Sequence, residues 1–148
     1  MTAEEVITLI KNAFADTPKP SGRLSADTYD DEGTHDYFSG TTWDGHDVAM
    51  LRKHEAAMSF FTPEAFRYYL PCFMLAELTD PKTADILGEY VVSQFARSEG
   101  NWEDKRSKRV GQFTSGERRA IIAFLQYMTD TYQGFRQDDI AIAIERLS

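Results

Sequence analysis

The segment from Thr62 to Leu78 constrains the fold of this chain more than any other. Thr62 is a favoured helix N-cap, Pro63 suits the first helical position, and a carboxylate such as Glu64 is stabilised at the positive end of a helix. Large apolar side chains then lie on nearly every side of the predicted helix: Phe66, Tyr68, Tyr69, Leu70, Cys72, Phe73, Met74, Leu75 and Leu78. A helix that is apolar all round is a buried one, so the other elements must surround it.

Pro71 stands inside this predicted helix. A proline nitrogen has no hydrogen to donate to the carbonyl four residues earlier, here that of Arg67, so we expect a kink. A pocket at such a kink, lined by Arg67, Tyr68 and Trp43, is a candidate small-molecule site. The alternative is an ordinary one, in which Arg67 reaches solvent and Tyr68 packs with its hydroxyl hydrogen-bonded.

Several shorter signals predict the remaining helices. Thr2 with Glu5, and Thr114 with Glu117, have capping-box spacing and predict two helix starts. Apolar spacing predicts further helices over 47–58, 81–95 and 140–147. Residues 23–42 are expected to be irregular and residues 98–112 to be a charged loop. The fold class is therefore all-α: a compact five- to six-helix domain around a buried, Pro-kinked central helix, with a long acidic loop, as a single helical domain over residues 1–148.

Cysteine usage and apolar run lengths indicate the compartment. Cys72 is the only cysteine, which excludes an intrachain disulfide and is typical of a reducing compartment. Glu4 and Glu5 stand where a secretory signal would carry positive charge. No apolar stretch approaches the roughly 18 residues of a membrane helix. We therefore expect a cytoplasmic protein with no membrane partner.

Charge is segregated along the chain, whose formal net charge is −8. The segment 27–47 contains no Lys or Arg and these acids: Asp27, Asp30, Asp31, Glu32, Asp36, Asp44 and Asp47. Basic residues concentrate instead in 97–119, near Trp102 and Phe113, a mixture that single-strand binders also use. Acids are interleaved there and the protein is acidic overall, so we expect no nucleic-acid binding. A solvated loop, or an internal partner for the acidic segment, is the favoured interpretation.

The acidic segment suggests a non-enzymatic protein-binding module with a basic partner. Carboxylates speed encounter with a basic surface, and aromatic side chains supply buried contacts. The predicted partner-binding residues are Asp27, Asp30, Asp31, Asp36, Tyr37 and Trp43. We predict no catalytic residue and no cofactor, because the chain has neither a Gly-x-Ser-x-Gly elbow nor a phosphate-binding glycine loop.

A metal-dependent hydrolase is the alternative function. His35, Asp36, His46 and Asp47 are residue types that hold divalent cations. Two features weaken this hypothesis: His35 lies in a stretch rich in Gly and Ser, and the acids lack the spacing of a calcium-binding loop. A solvated acidic loop is the favoured interpretation.

One run of residues also carries a resemblance. Trp43, the run Phe-Thr-Pro-Glu-Ala-Phe-Arg-Tyr-Tyr-Leu-Pro at 61–71 and the capped segment that starts at Thr114 together resemble a family of small bacterial proteins of unknown function. The resemblance covers roughly residues 43–128, and Cys72 stands where a small residue such as Ala is expected. It implies a fold and a bacterial source but no reaction and no catalytic residue. Small acidic bacterial proteins often neutralise toxins, so an immunity protein directed at a basic toxin domain is one expected form of the binding function.

Overall fold

The computed structural model describes residues 1–25, 32–98, 100 and 102–148, and within these ranges the chain forms ten α-helices. They are α1 Ala3–Phe14, α2 Thr34–Phe38, α3 Val48–Lys53, α4 Ala57–Phe60, α5 Pro63–Thr79, α6 Pro81–Ala84, α7 Leu87–Ala96, α8 Trp102–Gly111, α9 Ser115–Thr131 and α10 Gln137–Leu147. The predicted mainly helical fold is confirmed. The predicted number of five to six helices is wrong. The predicted long acidic loop is also corrected in part, because Thr34–Phe38 within it is helical.

The helix α5 is central, as its apolar sequence predicts. It packs against α1, α3, α6, α7 and α8, and most of its side chains are buried. Its start follows the sequence signal, because the Thr62 hydroxyl accepts a hydrogen bond from the Ala65 amide at 3.2 Å. The helix continues through Pro71 to Thr79. The kink expected at Pro71 stays a prediction.

Two predicted helices are each divided in two. The predicted helix 47–58 is interrupted at His54, which ends α3 before α4 begins at Ala57. The predicted helix 81–95 is interrupted at Asp85, whose φ is +55°, between α6 and α7. Neither break contains Gly or Pro, the residues that usually signal an interruption in a sequence.

The helix α8 corrects a further expectation. Residues 98–112 were expected to form a solvated loop, but Trp102–Gly111 is helical, and Arg106 and Arg109 are only 8 % and 1 % exposed. Their guanidinium groups donate to backbone carbonyls, Arg106 to Arg97 at 2.6 Å and Arg109 to Phe61 at 2.8 Å. These basic side chains are buried because they satisfy carbonyls at the ends of α7 and α4.

One cluster of buried side chains receives a contribution from every one of the ten helices in the described ranges. The chain between α1 and α3 joins it through Leu24 and Phe38, which fixes residues 32–47 on the surface of the core. An isolated antiparallel bridge between Ser25 and Phe61 makes a further connection. None of the helices in the described part of the chain has the length and apolar character needed to cross a membrane.

Candidate functional site

The candidate site is the acidic face, defined here as the outer surface of the described residues 32–47. Its inner side is aromatic. Phe38 is fully buried, and its ring centroid lies 5.1 Å from that of Phe61 and 4.9 Å from that of Tyr69. The Tyr69 hydroxyl donates to the Phe38 and Thr41 carbonyls, each at 3.0 Å. Residues 38–41 are therefore held on the core by packing and by hydrogen bonds.

Tyr37 and two histidines form a second anchor. The Tyr37 ring stacks on His54 at 4.3 Å, and its hydroxyl lies 3.0 Å from Nδ1 of His46. Nε2 of His46 lies 2.7 Å from the Thr42 carbonyl oxygen. A carbonyl can only accept, so Nε2 carries the hydrogen and Nδ1 accepts from Tyr37. Burial lowers the pKa of both His46 and His54, which favours their neutral forms, and His46 must be neutral for its Nδ1 to accept.

The carboxylates of residues 32–47 point to solvent. The side chains of Glu32, Asp36, Asp44 and Asp47 are all exposed. Two of them are held in place: Asp44 accepts from the Thr42 hydroxyl at 2.6 Å, and Asp47 caps α3 by accepting from the Met50 amide at 3.2 Å. The hydrogen bond from Thr42 lowers the pKa of Asp44, which keeps it ionised.

The predicted partner-binding residues have different positions. Asp36 is exposed and Trp43 is half-buried, so both contribute to the acidic face. Tyr37 is half-buried, and its ring anchors the segment by stacking on His54. Asp27, Asp30 and Asp31 lie outside the described residues.

A cavity of about 190 Å³ opens beside the acidic face. Its walls include Trp43, Asp44, His46, Val48, Cys72 and Leu75. The predicted pocket near Pro71 therefore shares Trp43 with this cavity, but neither Arg67 nor Tyr68 lines it. Arg67 pairs with Glu117, and Tyr68 is 5 % exposed and hydrogen-bonds the Trp43 backbone.

Cys72 has no nucleophilic character in this cavity. Its thiol donates to the Tyr69 carbonyl at 2.9 Å. Burial raises the pKa of the thiol well above its ordinary value, so it stays protonated at neutral pH.

The histidines proposed as metal ligands are engaged elsewhere. Nδ1 of His35 accepts from the Leu24 amide at 3.1 Å, and both ring nitrogens of His46 have protein partners. Asp47 is a helix cap. Within the described ranges, no three or more His, Cys, Asp or Glu side chains are grouped so that they could hold a metal ion. The geometry gives the hydrolase hypothesis no support.

Several basic side chains outside the acidic face bond to carbonyls within the protein. Lys105 donates to the Ser59 carbonyl, Arg118 to that of Val110 at 2.9 Å, and Arg146 to that of Phe95 at 2.7 Å. All three carbonyls lie in the last turns of helices, where cations are favoured. These bonds from basic side chains to carbonyls at helix ends were not predicted from the sequence. The one signal for them is the i, i+1, i+4 spacing of Lys105, Arg106 and Arg109, which places them on one side of a helix.

Fold and site together define an all-helical protein with an anchored acidic face and, in its described part, no assembled metal centre. Its sequence matches the model of a family of unknown function, DUF6714, over residues 2–146, and the chain belongs to that family. The match extends well beyond the expected 43–128. No curated protein and no solved structure matches the chain.

Proposed function

We propose that this protein is a non-enzymatic binding module whose acidic face recognises a basic surface on another protein. The proposal rests on residues 32–47, whose aromatic and acidic side chains point in opposite directions. The aromatic groups pack inward on the core, whereas the four carboxylates are exposed. A face held in this way is organised before binding, which reduces the entropy lost on association.

The internal use of basic side chains strengthens the acidic character of the surface. Arg106 and Arg109 are buried, and Lys105 and Arg146 bond to carbonyls at helix ends. These charges are fixed by contacts with α4, α7 and the residues that directly follow them, whereas residues 32–47 contain no Lys or Arg. A negative field of this kind steers a basic partner and raises its association rate at low salt.

The cavity beside Trp43 supplies the apolar contact that charge alone cannot. A cavity of roughly 150 Å³ can hold a benzene ring, so one of about 190 Å³ accommodates a single aromatic or branched side chain. Polar side chains also line it, among them those of Lys11, Asp44 and His46. An apolar anchor with a polar rim is the usual form of an interface hot spot.

Neutralisation of a toxin is one activity that such a face would serve. A basic toxin domain offers complementary charge, and covering its active surface requires no catalytic group on this chain. The proposed function therefore includes that of a bacterial immunity protein, which would bind and cover a basic toxin domain.

The test begins with capture of partners from an extract of the native cell on the tagged protein, at low and at moderate salt. The captured basic protein is then purified, and its association rate is measured with three forms of this chain. These are the wild type, a face variant with Glu32, Asp36, Asp44 and Asp47 replaced by the matching amides, and a control with Glu4, Asp130, Asp138 and Glu145 replaced in the same way.

Both variants change the charge equally, and the control residues are all exposed outside the acidic face. We expect at least a tenfold slower association for the face variant, with a weaker salt dependence, and a much smaller change for the control. Trp43→Ala should mainly increase the dissociation rate. Equal association rates for the face variant and the control would exclude this surface as the binding site.

A further inference from the structure

A second cavity, of about 360 Å³, lies where the end of α5, α6, the start of α7 and the end of α9 meet. That volume is at the lower end of the range for small-molecule sites. Its walls combine carboxylates with aromatic and aliphatic groups, among them Glu77, Asp85, Ile86, Glu89, Tyr132 and Phe135.

Glu77 is the most buried of the three carboxylates that line this cavity. Its residue is 5 % exposed, and its Oε2 accepts from the Tyr132 hydroxyl at 3.2 Å. Gly88, the second residue of α7, permits the close approach of Glu77, because a Cβ there would lie 2.6 Å from Oε1. The Gly88 backbone amide is also hydrogen-bonded to the carboxylate. No Lys, Arg or His forms an ion pair with Glu77 among the described residues.

A buried carboxylate without a cationic partner is costly, and two neutral donors compensate it only in part. Burial raises the pKa of Glu77 accordingly, against the lowering effect of those two donors. A cation that enters the cavity would supply the missing counter-charge. The burial of Glu77 is thus a physical reason to expect a cationic ligand. Acidic residues in the cavity wall would not be a sufficient reason by themselves.

One residue at the rim of the cavity has a strained backbone conformation. Asp85 has φ +55° and ψ −104°, which is unfavourable for a residue with a side chain, and strain of this kind is often found at functional sites. Arg52 holds the Asp85 carboxylate at 3.1 Å. Glu89 and Lys82 line the same cavity with opposite charges, so the rim adds no net charge and Glu77 carries the attraction for a cation.

The walls suit the apolar body of a cation. The rings of Tyr132 and Phe135 lie 6.0 Å apart in an edge-to-face arrangement, and Ile86 and Met128 complete the apolar lining. An ammonium group near aromatic faces gains cation–π energy in addition to its attraction to carboxylates.

We propose that this cavity binds a small organic cation, with its ammonium group at Glu77 and its apolar body against Tyr132 and Phe135. The site is separate from the acidic face and does not depend on the proposed protein-binding function. Its ligand is a primary amine on a short aliphatic or aromatic body, because the cavity joins one buried carboxylate to apolar walls.

The probe for the test is phenethylammonium, with phenethyl alcohol as its neutral counterpart. Binding is measured by calorimetry and by chemical-shift mapping on three proteins: the wild type, Glu77→Gln, and Glu145→Gln as a matched control on the exposed side of α10. Gln keeps the shape of Glu77 and its ability to accept from Tyr132, but it removes the charge.

We expect the wild type to bind the ammonium probe and not the alcohol. Glu77→Gln should weaken binding at least tenfold, and Glu145→Gln should leave it unchanged. Shifts should concentrate in residues 77–89 and 128–135. Absence of binding by the wild type, equal affinity for the alcohol, or unchanged affinity in Glu77→Gln would overturn the proposal. If Glu77→Gln fails to fold by circular dichroism, the wild-type map decides, and shifts outside those two ranges would overturn it.

Discussion

Arg67 and Glu117 form an ion pair between the central helix and the start of α9, with Nε of Arg67 3.0 Å from Oε1 of Glu117. The Glu117 side chain is 1 % exposed and that of Arg67 is 21 % exposed. The same carboxylate accepts from the Thr114 amide at 2.8 Å and from the Thr17 hydroxyl. It therefore joins α5, the cap of α9 and the chain that follows α1.

This relationship gives a structural role to two residues of the sequence segments on which the resemblance is based. Arg67 belongs to the run 61–71, and Glu117 is the acidic member of the capping box that follows Thr114. The helix start at Thr114 is thereby positioned on the central helix, and neither residue is free to line the cavity near Pro71.

Replacing Glu117 by Gln should destabilise the protein by about 2 to 3 kcal/mol. The loss is smaller than the roughly 3 to 5 kcal/mol of a fully buried pair, because Arg67 keeps some contact with water. Urea denaturation measures the effect, with Glu145→Gln as the exposed control. Equal free energies of unfolding for the two variants would contradict a stabilising role for the ion pair.

Replacing Arg109 by Met should destabilise the protein by about 1 to 2 kcal/mol, because two buried acceptors lose their donor. Removal of a buried charge whose Nε has no hydrogen-bond partner in the part of the chain that the structure describes offsets part of that loss. Arg109 donates to Gln94 at 2.7 Å and to the Phe61 carbonyl at 2.8 Å, and its guanidinium lies 4.3 Å from the centre of the Phe66 ring. Lys108→Met, on the exposed side of the same helix, should change stability by about 0.5 kcal/mol or less.

The two Arg109 variants separate geometry from charge. Arg109→Lys keeps a positive charge but cannot donate from two nitrogens in a fixed plane. It should therefore be nearly as unstable as Arg109→Met. Recovery of wild-type stability by Lys would show that charge alone matters at this position.

The local parts of the fold were predictable from the sequence, and the tertiary parts were not. Both capping boxes and the Thr62 cap form as their spacing predicts, since each depends on residues close in the chain. No local sequence signal predicts the helix break at Asp85, where φ is positive although the residue is not Gly. Its conformation depends on contacts that form only in the folded chain. The helix α8 was missed because its basic residues are stabilised by carbonyls far along the chain, such as that of Phe61.

The candidate site was predictable to a similar degree. The segregation of carboxylates in 27–47 is visible in the sequence, and so is the presence of aromatic residues among them. The direction of each side chain depends on distant partners: Tyr37 packs on His54, and Phe38 on Phe61 and Tyr69. The sequence suggests His46 as a metal ligand because it does not show that both ring nitrogens are occupied. Their contacts with Thr42 and Tyr37 depend on the fold.

Protonation of His46 should lower the free energy of unfolding as the solution becomes acidic. Its pKa in the folded protein is lowered from 6.5 by burial, so the unfolded chain binds a proton first as the pH falls. The stability that the neutral ring contributes is complete above pH 6.5 and is lost as the pH falls toward the lowered value. The free-energy difference between the wild type and His46→Asn should therefore shrink from pH 7 to about pH 5.

Nuclear magnetic resonance tests this directly, since the ring protons of His46 report its titration. The midpoint should lie below 6.5 in the folded protein and return to about 6.5 in concentrated urea. A folded-state midpoint above 6.5 would mean that the ring is charged and that its bond from the Tyr37 hydroxyl is absent.

Lys105 should make the protein more stable as the solution becomes alkaline. Burial, together with the positive charges of Arg109 and Arg97, lowers the pKa of Lys105 from 10.5 to about 8. Between these two values the unfolded chain binds more protons than the folded protein, so the free energy of unfolding rises with pH in that window. Below about pH 8 both states are protonated and this residue adds no pH dependence.

The measurement is urea denaturation of the wild type, Lys105→Met and Lys108→Met between pH 7 and pH 10. Tyrosine titration near pH 10 affects all three proteins and cancels in their differences. The wild-type curve should rise relative to that of Lys105→Met and stay parallel to that of Lys108→Met, because Lys108 is exposed. Parallel curves for all three proteins would show that Lys105 is as well solvated as Lys108. The bond from Lys105 to the Ser59 carbonyl would then be weak in solution.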